Sequence, residues 1–268
     1  MAKNKFSRSN VKSTILNKVI IRVDFIGLTD IVGCVNGLKP IMNGKFTKFR
    51  QINNNNYNVE LNSQLSSHPV NVNLEKKTLY QFTGCTIGSS NANFMLGSDF
   101  AYIEINCSQE YEGGNEYIRL MSNAIDCIRK FDSFISIRRL GLRKVDIAKF
   151  KNVDALKQSV EESIWETYKK GPAYFPLKKA YSDLIFQKDV KTVFNIQRIV
   201  QEVEEDGIKK IQYVFDIDSY KNGSLIKSDD FSTVDRIEKM ISEQMNEPIF
   251  NYFVDTFTEQ YIDNFYHG

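Results

Sequence analysis

The sequence contains very little histidine, and this scarcity limits the chemistry that we expect of it. Its 268 residues include two histidines, His68 and His267. A serine or cysteine nucleophile needs a nearby base, and that base is most often histidine. His68 precedes Pro69 in a polar passage that is typical of a loop. The sequence therefore argues against a Ser–His or Cys–His mechanism.

Common signatures of enzymes and metal sites are also missing. No G-x-x-x-x-G-K-[ST] phosphate loop and no G-x-S-x-G turn occurs. The four cysteines form no C-x-x-C pair, and with so few histidines a zinc site is not expected. We interpret the thiols as small buried side chains in a reducing compartment. These absences argue against a conventional enzyme, and we predict no cofactor.

Long apolar runs are absent as well. No run approaches the roughly 20 residues that cross a bilayer. The basic first residues lead into no apolar segment, so they do not form a secretory signal. These absences predict a cytoplasmic protein with no membrane contact.

The sequence is rich in apolar and aromatic residues, and its charge is unevenly distributed. Hydrophobic residues make up 42%, with 19 Phe and 13 Tyr, which indicates a folded globular protein. Residues 1–150 hold 20 basic and 12 acidic residues (+8), and residues 151–268 hold 15 and 21 (−6). Such asymmetry either marks an anion-binding surface or lets the two halves attract each other. Because the whole chain is close to neutral, we favour the second interpretation.

Hydrophobic periodicity predicts an α+β fold made of two related halves. The first half covers residues 1–150. It should begin with a buried strand over 19–26, a turn-rich passage over 27–44, an edge strand over 45–50 and an asparagine loop over 53–56. Strands over 79–87 and 94–107, a helix from Asn115 and a closing strand over 135–150 should follow. The second half covers residues 151–268. It should begin with a helix capped by Asn152 or Asp154, followed by strands over 180–188, 192–203 and 209–220, with a hairpin turn at Asp206-Gly207. C-terminal helices should begin at Ser232 and be interrupted at Pro248. Each half is an antiparallel strand meander packed with helices.

The stretch 135–150, ISIRRLGLRKVDIAKF, does not alternate in one phase. Ile135 and Ile137 are in one phase, Leu140 and Leu142 in the other, and Val145 and Ile147 return to the first. Either the strand bulges twice, or it runs straight and points its arginines to the same side as the isoleucines.

This stretch also holds the sharpest basic cluster, formed by Arg138, Arg139, Arg143 and Lys144. One hypothesis is that the cluster binds the phosphates of a nucleic acid or nucleotide. The other is that acidic groups of the second half neutralise it, which we favour because a nucleic-acid surface usually carries a larger basic excess. Arg139 and Arg143 should then pair with carboxylates of residues 151–268.

Asp216 and Asp218 are the pair of carboxylates best spaced for a metal. Residues two apart on a strand share a face, so both could reach one divalent ion. The spacing is common by chance, however, and no third ligand can be assigned. We keep this pair as a secondary hypothesis, with metal-dependent phosphoryl chemistry as its consequence.

Three passages together resemble a bacterial family. They are the apolar strand over 19–26, the helix followed by the segment Arg139-Leu-Gly-Leu-Arg143, and the ending from Glu247-Pro-Ile-Phe to Phe265-Tyr-His-Gly268. Their order is similar to that of a sporadically distributed family of mostly uncharacterised proteins of this size, often on mobile elements. In that family an aromatic and then an asparagine typically follow the Leu-Arg, where this chain has Lys144 and Asp146. The resemblance implies a bacterial or phage origin and supplies no catalytic residues.

We therefore expect a non-enzymatic, cytosolic bacterial interaction protein that acts through a partner protein or self-association. The resemblance suggests that it belongs to a phage-defence or other mobile-element system. The alternative is nucleic-acid or nucleotide binding through residues 138–144. Salt-dependent binding that is lost in Arg139→Ala or Arg143→Ala would favour the alternative.

Overall fold

The computed structural model describes the backbone of residues 15–59, 72–88, 91–107, 114–132, 134–162, 179–187, 192–222 and 231–267, and their side chains except in 53–59, 72–77 and 266–267. Its strands are β1 (Leu16–Ile26), β2 (Phe46–Val59), β3 (Val72–Cys85), β4 (Asn91–Leu96), β5 (Phe100–Asn106), β6 (Ser136–Phe150), β7 (Lys179–Gln187), β8 (Thr192–Glu205) and β9 (Ile208–Asn222). They form one nine-stranded antiparallel sheet in the order β2-β3-β4-β5-β1-β6-β9-β8-β7. The expected mixture of helices with an antiparallel sheet is confirmed.

Helices complete the described fold. They are α1 (Ile31–Met42), α2 (Gly114–Phe131), α3 (Val153–Ser159), α4 (Val234–Lys239), a π-helical segment (Met240–Asn246), α5 (Glu247–Thr256) and α6 (Glu259–His267). The π-helical segment ends at Asn246, two residues before Pro248, so the helix changes its hydrogen-bond pattern where the proline ring would disturb a regular helix.

The helices cover one face of the sheet, which we call the helix side. Ile21, Ile103 and Leu142 lie in register across β1, β5 and β6, and all are almost fully buried. Further along the sheet, the ring of Phe215 on β9 contacts Tyr252 and Phe257 at the end of α5. The aromatic C-terminal segment therefore docks on the sheet. The opposite face, which we call the open face, carries polar and charged side chains at its centre.

The chain builds the sheet outward from two central strands. After β1 the chain passes through α1 and returns by the meander β2–β5, whose last strand pairs with β1. After β6 it passes through α3 and returns by β7–β9, whose last strand pairs with β6. Strands β1 and β6 pair with each other at the middle. Residues 1–150 and 151–268 thus share one sheet.

The passage predicted as turn-rich contains helix α1. Gly33 and Gly37 lie inside it, where a β-carbon would come within 2.7 Å of Phe131 and 3.3 Å of Cys127 on α2. The glycines therefore permit close helix packing, although their helix propensity is poor. Tertiary contact overrides the local signal here.

Two strand boundaries also differ from the prediction. The backbone of Asn53–Asn56, predicted as a loop, lies in β2 and pairs with β3. The strand predicted over 94–107 is two strands, β4 and β5, because Gly97–Asp99 form a turn between them. The predicted hairpin between β8 and β9 is confirmed, with positive φ at Asp206 (52°) and Gly207 (75°).

Candidate functional site

The geometry of β6 resolves its mixed phase. Its pairing with β1 shifts between Ile137 and Arg139, so one residue, Arg138, bulges out of the strand. From Arg139 to Phe150 the pairing with β9 is continuous. The structure thus combines the two interpretations: one bulge, followed by a straight strand that places Arg139 and Arg143 on the same face as Val145 and Ile147.

Arg143 forms a two-pronged ion pair across the open face. Its Nε and Nη2 atoms donate to the two carboxylate oxygens of Asp216, at 2.8 and 2.5 Å. The Asp216 side chain is only 12% exposed. Hydrogen bonding to Asp216 raises the pKa of Arg143 above its ordinary value. The guanidinium therefore compensates a carboxylate that would otherwise be buried without a countercharge.

Arg139 forms a second pair by lying along its own strand. It is opposite Asn222 in the register, yet its guanidinium reaches Asp218 and lies 4.4 Å from the ring centre of Tyr220. Gly141 lies between the two arginines, and a β-carbon there would come within 3.2 Å of Tyr220 and 3.5 Å of Asp218. Glycine thus leaves space for this arrangement.

The same face carries further paired charges on β1 and β5. Arg22 donates to Asp24 at 2.6 Å, and Asp24 lies 3.9 Å from Arg139. Lys18 pairs with Glu104 at 3.2 Å. The central part of the open face is therefore a network of compensated charges. The expectation that Arg139 and Arg143 pair with carboxylates of the second half is confirmed.

This network bears on the metal hypothesis for Asp216 and Asp218. Each carboxylate accepts hydrogen bonds from a guanidinium, so a divalent ion would have to displace an arginine. Burial raises the pKa of Asp218 despite the attraction of Arg139. Among the described residues no group of three or more Asp, Glu, His or Cys side chains is placed to hold a metal. Metal binding at this pair remains a prediction.

The four basic residues predicted as a cluster do not share one surface. Arg138 is exposed at the bulge, Arg139 and Arg143 are paired on the open face, and Lys144 is on the helix side, opposite Ile217 and Val19. The residues are adjacent in sequence, but a strand alternates its faces. Of these four residues, Arg138 and Arg143 are exposed, and Arg139 and Lys144 are partly buried.

Asp146 is an ionisable group on the helix side that the sequence did not single out. It is only 5% exposed and lies opposite Phe215 and Leu16. Burial raises its pKa to about 7, while Lys144 acts in the opposite direction. Burial, helped by the negative charge of Asp146, raises the pKa of Tyr261 on α6 to about 12. This interior charge is a property of the core rather than an accessible site.

The cysteines have the properties of structural thiols. All four are free. Burial raises the pKa of Cys34 and of Cys107 to about 12, so both stay protonated and weakly nucleophilic at neutral pH. His68 and the side chain of His267 lie outside the described residues.

The last strand of the sheet, β7, has an unusual surface. Tyr181, Leu184, Ile185 and Phe186 are exposed by 54%, 36%, 70% and 47%. They occupy both faces of the strand, because residues alternate along it. Among the described strands β7 pairs only with β8, so its outer edge is not hydrogen-bonded to another strand. The sequence predicted this strand but not its place at the edge.

Comparison of the sequence with protein-family models and with curated proteins finds no match. Within the described residues, no helix is long and apolar enough to cross a membrane.

Proposed function

We propose that this protein is a non-enzymatic interaction protein that binds another polypeptide chain along strand β7, and that the partner is a second copy of itself. The observation that carries the proposal is the apolar edge strand. Four large hydrophobic side chains within six residues are exposed on a strand that ends the sheet. Edge strands in soluble proteins are usually protected from pairing by charge, proline or a bulge.

The composition of β7 supports strand addition. Its charged residues are Lys179 at the start and Asp183 in the middle, and it contains no proline. An added antiparallel strand would take up the free backbone N–H and C=O groups and cover the apolar side chains on both faces. A two-fold axis perpendicular to the sheet would join two β7 strands and extend the nine strands to a continuous sheet.

Nucleic-acid binding through residues 138–144 has less support. Its main cations, Arg139 and Arg143, are occupied by Asp218 and Asp216, and Lys144 is on the opposite face. A phosphate would have to compete with a nearly buried carboxylate that is already paired.

The test compares two isoleucine substitutions. Ile185→Lys adds a charge to the β7 edge, and Ile208→Lys adds the same charge at the β8–β9 turn, where Ile208 is 60% exposed. Light scattering during size-exclusion chromatography should give a dimer mass for the unchanged protein and for Ile208→Lys. For Ile185→Lys we expect a monomer, with dimer affinity lowered at least about 100-fold.

Two outcomes would change the proposal. If the unchanged protein is a monomer at all concentrations, self-association is contradicted. If that monomer captures the product of a neighbouring gene in a way that Ile185→Lys abolishes, then β7 remains the binding surface and the partner is that protein. Capture that is insensitive to Ile185→Lys would contradict the role of β7.

The proposed cellular setting is a bacterial cytoplasm, with the protein a component of a phage-defence or other mobile-element system. Its support is the sequence layout, from the strand over 19–26 to the ending after Glu247, which resembles a family of patchy distribution. The neighbouring genes provide the test. Housekeeping genes on both sides in every genome that carries the chain would contradict this setting.

We also infer that the two halves are related as repeats. The support is the matched order of elements: β1 and β6 each lead through a helix into a meander that returns to pair with them. This equivalence would make β6 the first strand of the second repeat. An alignment of many relatives that shows no shared pattern between 15–132 and 134–267 would contradict the inference.

A further inference from the structure

A cleft lies between the end of α1 and the start of β2, at the opposite end of the sheet from β7. It has a volume of about 510 Å³. Its lining combines apolar, amide, hydroxyl and cationic side chains, and it includes Lys39, Asn43, Thr47, Lys48, Phe49 and Phe82. Ligand pockets in proteins typically pair an apolar wall with a few convergent polar groups. None of the described residues that line this cleft is a carboxylate.

The backbone around the cleft is fixed by several hydrogen bonds. Gly44 adopts a positive φ of 73°, which turns the chain from α1 into β2. The Thr86 hydroxyl donates to the carbonyl of Gly44 at 2.9 Å, and the Thr47 hydroxyl donates to that of Gly84 at 3.1 Å. The walls of the cleft are therefore formed before any ligand arrives.

Phe49 supplies an exposed aromatic surface in this fixed frame. Its side chain is 43% exposed. Its ring is nearly parallel to Tyr80, with centroids 6.0 Å apart, and tilted against Phe82 at 4.8 Å. An aromatic ring that is packed against two others and is still partly exposed is suited to stacking against a planar ligand.

Two lysines that line the cleft have no carboxylate partner among the described residues. The ammonium of Lys39 lies 5.0 Å from the ring centre of Phe49 and donates to Asn36 at 3.0 Å. Lys48 also lines the cleft, although its side chain points to the other face of β2 from Phe49. In the part of the chain that the structure describes, neither lysine forms an ion pair with a carboxylate, in contrast to Arg139 and Arg143. Their positive charge is available to an anion.

We propose that this cleft binds a nucleoside phosphate, with the base stacked on Phe49 and the phosphate bound by Lys39, while the positive charge of Lys48 on the edge strand adds attraction for the phosphate. The base would replace the Lys39 ammonium over the ring, and the ammonium would move to the phosphate. Asn43 and Thr47 offer donors and acceptors to the edge of the base. A purely apolar ligand would leave the lysines unused, and a cation would be repelled by them.

The first experiment measures binding by calorimetry with three probes: adenosine 5′-monophosphate, adenosine, and inorganic phosphate. The monophosphate should bind at least about tenfold more tightly than either part alone, because only it uses both the ring and the lysines. Failure of the monophosphate to bind at about 1 mM would overturn the proposal.

Matched variants locate the site. Phe49→Ala should weaken binding about tenfold, and Phe134→Ala, which removes an 83% exposed ring elsewhere, should not. Lys48→Glu should weaken binding about tenfold and reduce its salt dependence, whereas Lys151→Glu makes the same charge change at an exposed position outside the cleft. Equal affinity of Phe49→Ala and Phe134→Ala for the monophosphate would contradict the proposed site. The thermal unfolding transition of each variant shows whether it is folded.

A single-stranded oligoadenylate of about twelve nucleotides distinguishes the source of the ligand. Tighter binding than the monophosphate, with the same dependence on Phe49 and Lys48, identifies a single-stranded nucleic acid as the ligand. Equal or weaker binding identifies a free nucleotide. Neither result depends on β7, so Ile185→Lys should leave nucleotide binding unchanged, and the two proposals succeed or fail separately.

Discussion

The centre of the sheet and its two ends differ in whether their charged side chains are paired and whether their apolar side chains are covered. At the centre, Arg139 and Arg143 are matched by acidic partners on β9. At the β2 end, Lys39 and Lys48 line a cleft that holds an exposed ring, and neither has such a partner among the described residues. At the β7 end, hydrophobic side chains are exposed on both faces. The densest charge in the sequence is thus compensated, and the groups left for binding lie at the ends.

The two edge strands also differ from each other. The described part of β2 carries Lys48 and Arg50, and such cations protect an edge against pairing with another chain. Strand β7 instead exposes Tyr181, Leu184, Ile185 and Phe186. The same sheet therefore ends in a cationic edge beside a cleft and in an apolar edge open to strand addition. Central substitutions should change stability but not binding, and edge substitutions should do the reverse.

The largest effect on stability is expected at Asp146. Burial raises its pKa from 3.8 to about 7, so between these values the folded state holds a proton that the unfolded state has lost. Stability therefore falls as pH rises through this window. Asp146→Asn should gain about 2 to 4 kcal/mol relative to the unchanged protein between pH 4 and pH 7.5, measured by urea unfolding.

The exposed Asp154→Asn on α3 is the control for this comparison. It should not gain stability with pH in the same way. If Asp146→Asn and the unchanged protein have parallel stability profiles, the interior charge is not the source of the pH dependence. Dimer mass and nucleotide affinity should be the same in Asp146→Asn as in the unchanged protein.

A smaller effect on stability, this time a decrease, is expected when Arg143 is replaced. Arg143→Ala should lower the free energy of unfolding by about 2 kcal/mol, because it leaves the nearly buried Asp216 without its charged donor. A double-mutant cycle with Asp216→Ala should give a coupling of about 1 to 2 kcal/mol. Lys209→Ala breaks a more exposed pair with Glu202 and should cost no more than about 0.5 kcal/mol.

The same variants test the phosphate hypothesis for the basic strand. If Arg143→Ala weakens nucleotide binding as strongly as Lys48→Glu does, then the centre of the open face binds the ligand, and the contrast between centre and ends is wrong.

The smallest effect on stability is expected from changing the character of the β2 edge. Lys48→Ile replaces a cation by a residue of the kind found on β7 and should change the free energy of unfolding by no more than about 0.5 kcal/mol. Combined with Ile185→Lys, it should restore concentration-dependent association, now through β2. Sedimentation velocity measures this, and a strictly monomeric double variant would show that Lys48 does not protect the edge.

The sequence predicted the strands and α2 well, because their patterns are local. Asp206-Gly207 is one example, since the turn needs positive φ whatever surrounds it. Helix α1 was missed because Gly33 and Gly37 serve its packing against α2, which no local pattern records. The pairing of Arg139 and Arg143 could be inferred from the charge asymmetry of the halves. The cleft could not be inferred, because its walls come from α1, β2 and β3, and only the folded chain brings these elements together.

The exposure of β7 also could not be predicted from the sequence. A strand such as KAYSDLIFQ has the same pattern whether it lies inside a sheet or at its edge, and only the strand order separates these cases. The side of the sheet to which Asp146 points depends on the bulge at Arg138. Non-local pairing decided all of these features.

Hydrogen–deuterium exchange of β7 tests the central claim most directly. We expect alternate backbone N–H groups of residues 181–187 to exchange slowly at high protein concentration and quickly after dilution, because strand addition occupies the outer edge only in the dimer. The same amides in Ile185→Lys should exchange quickly at both concentrations. Exchange in β7 that does not change with concentration, or protection that appears elsewhere instead, would contradict the account.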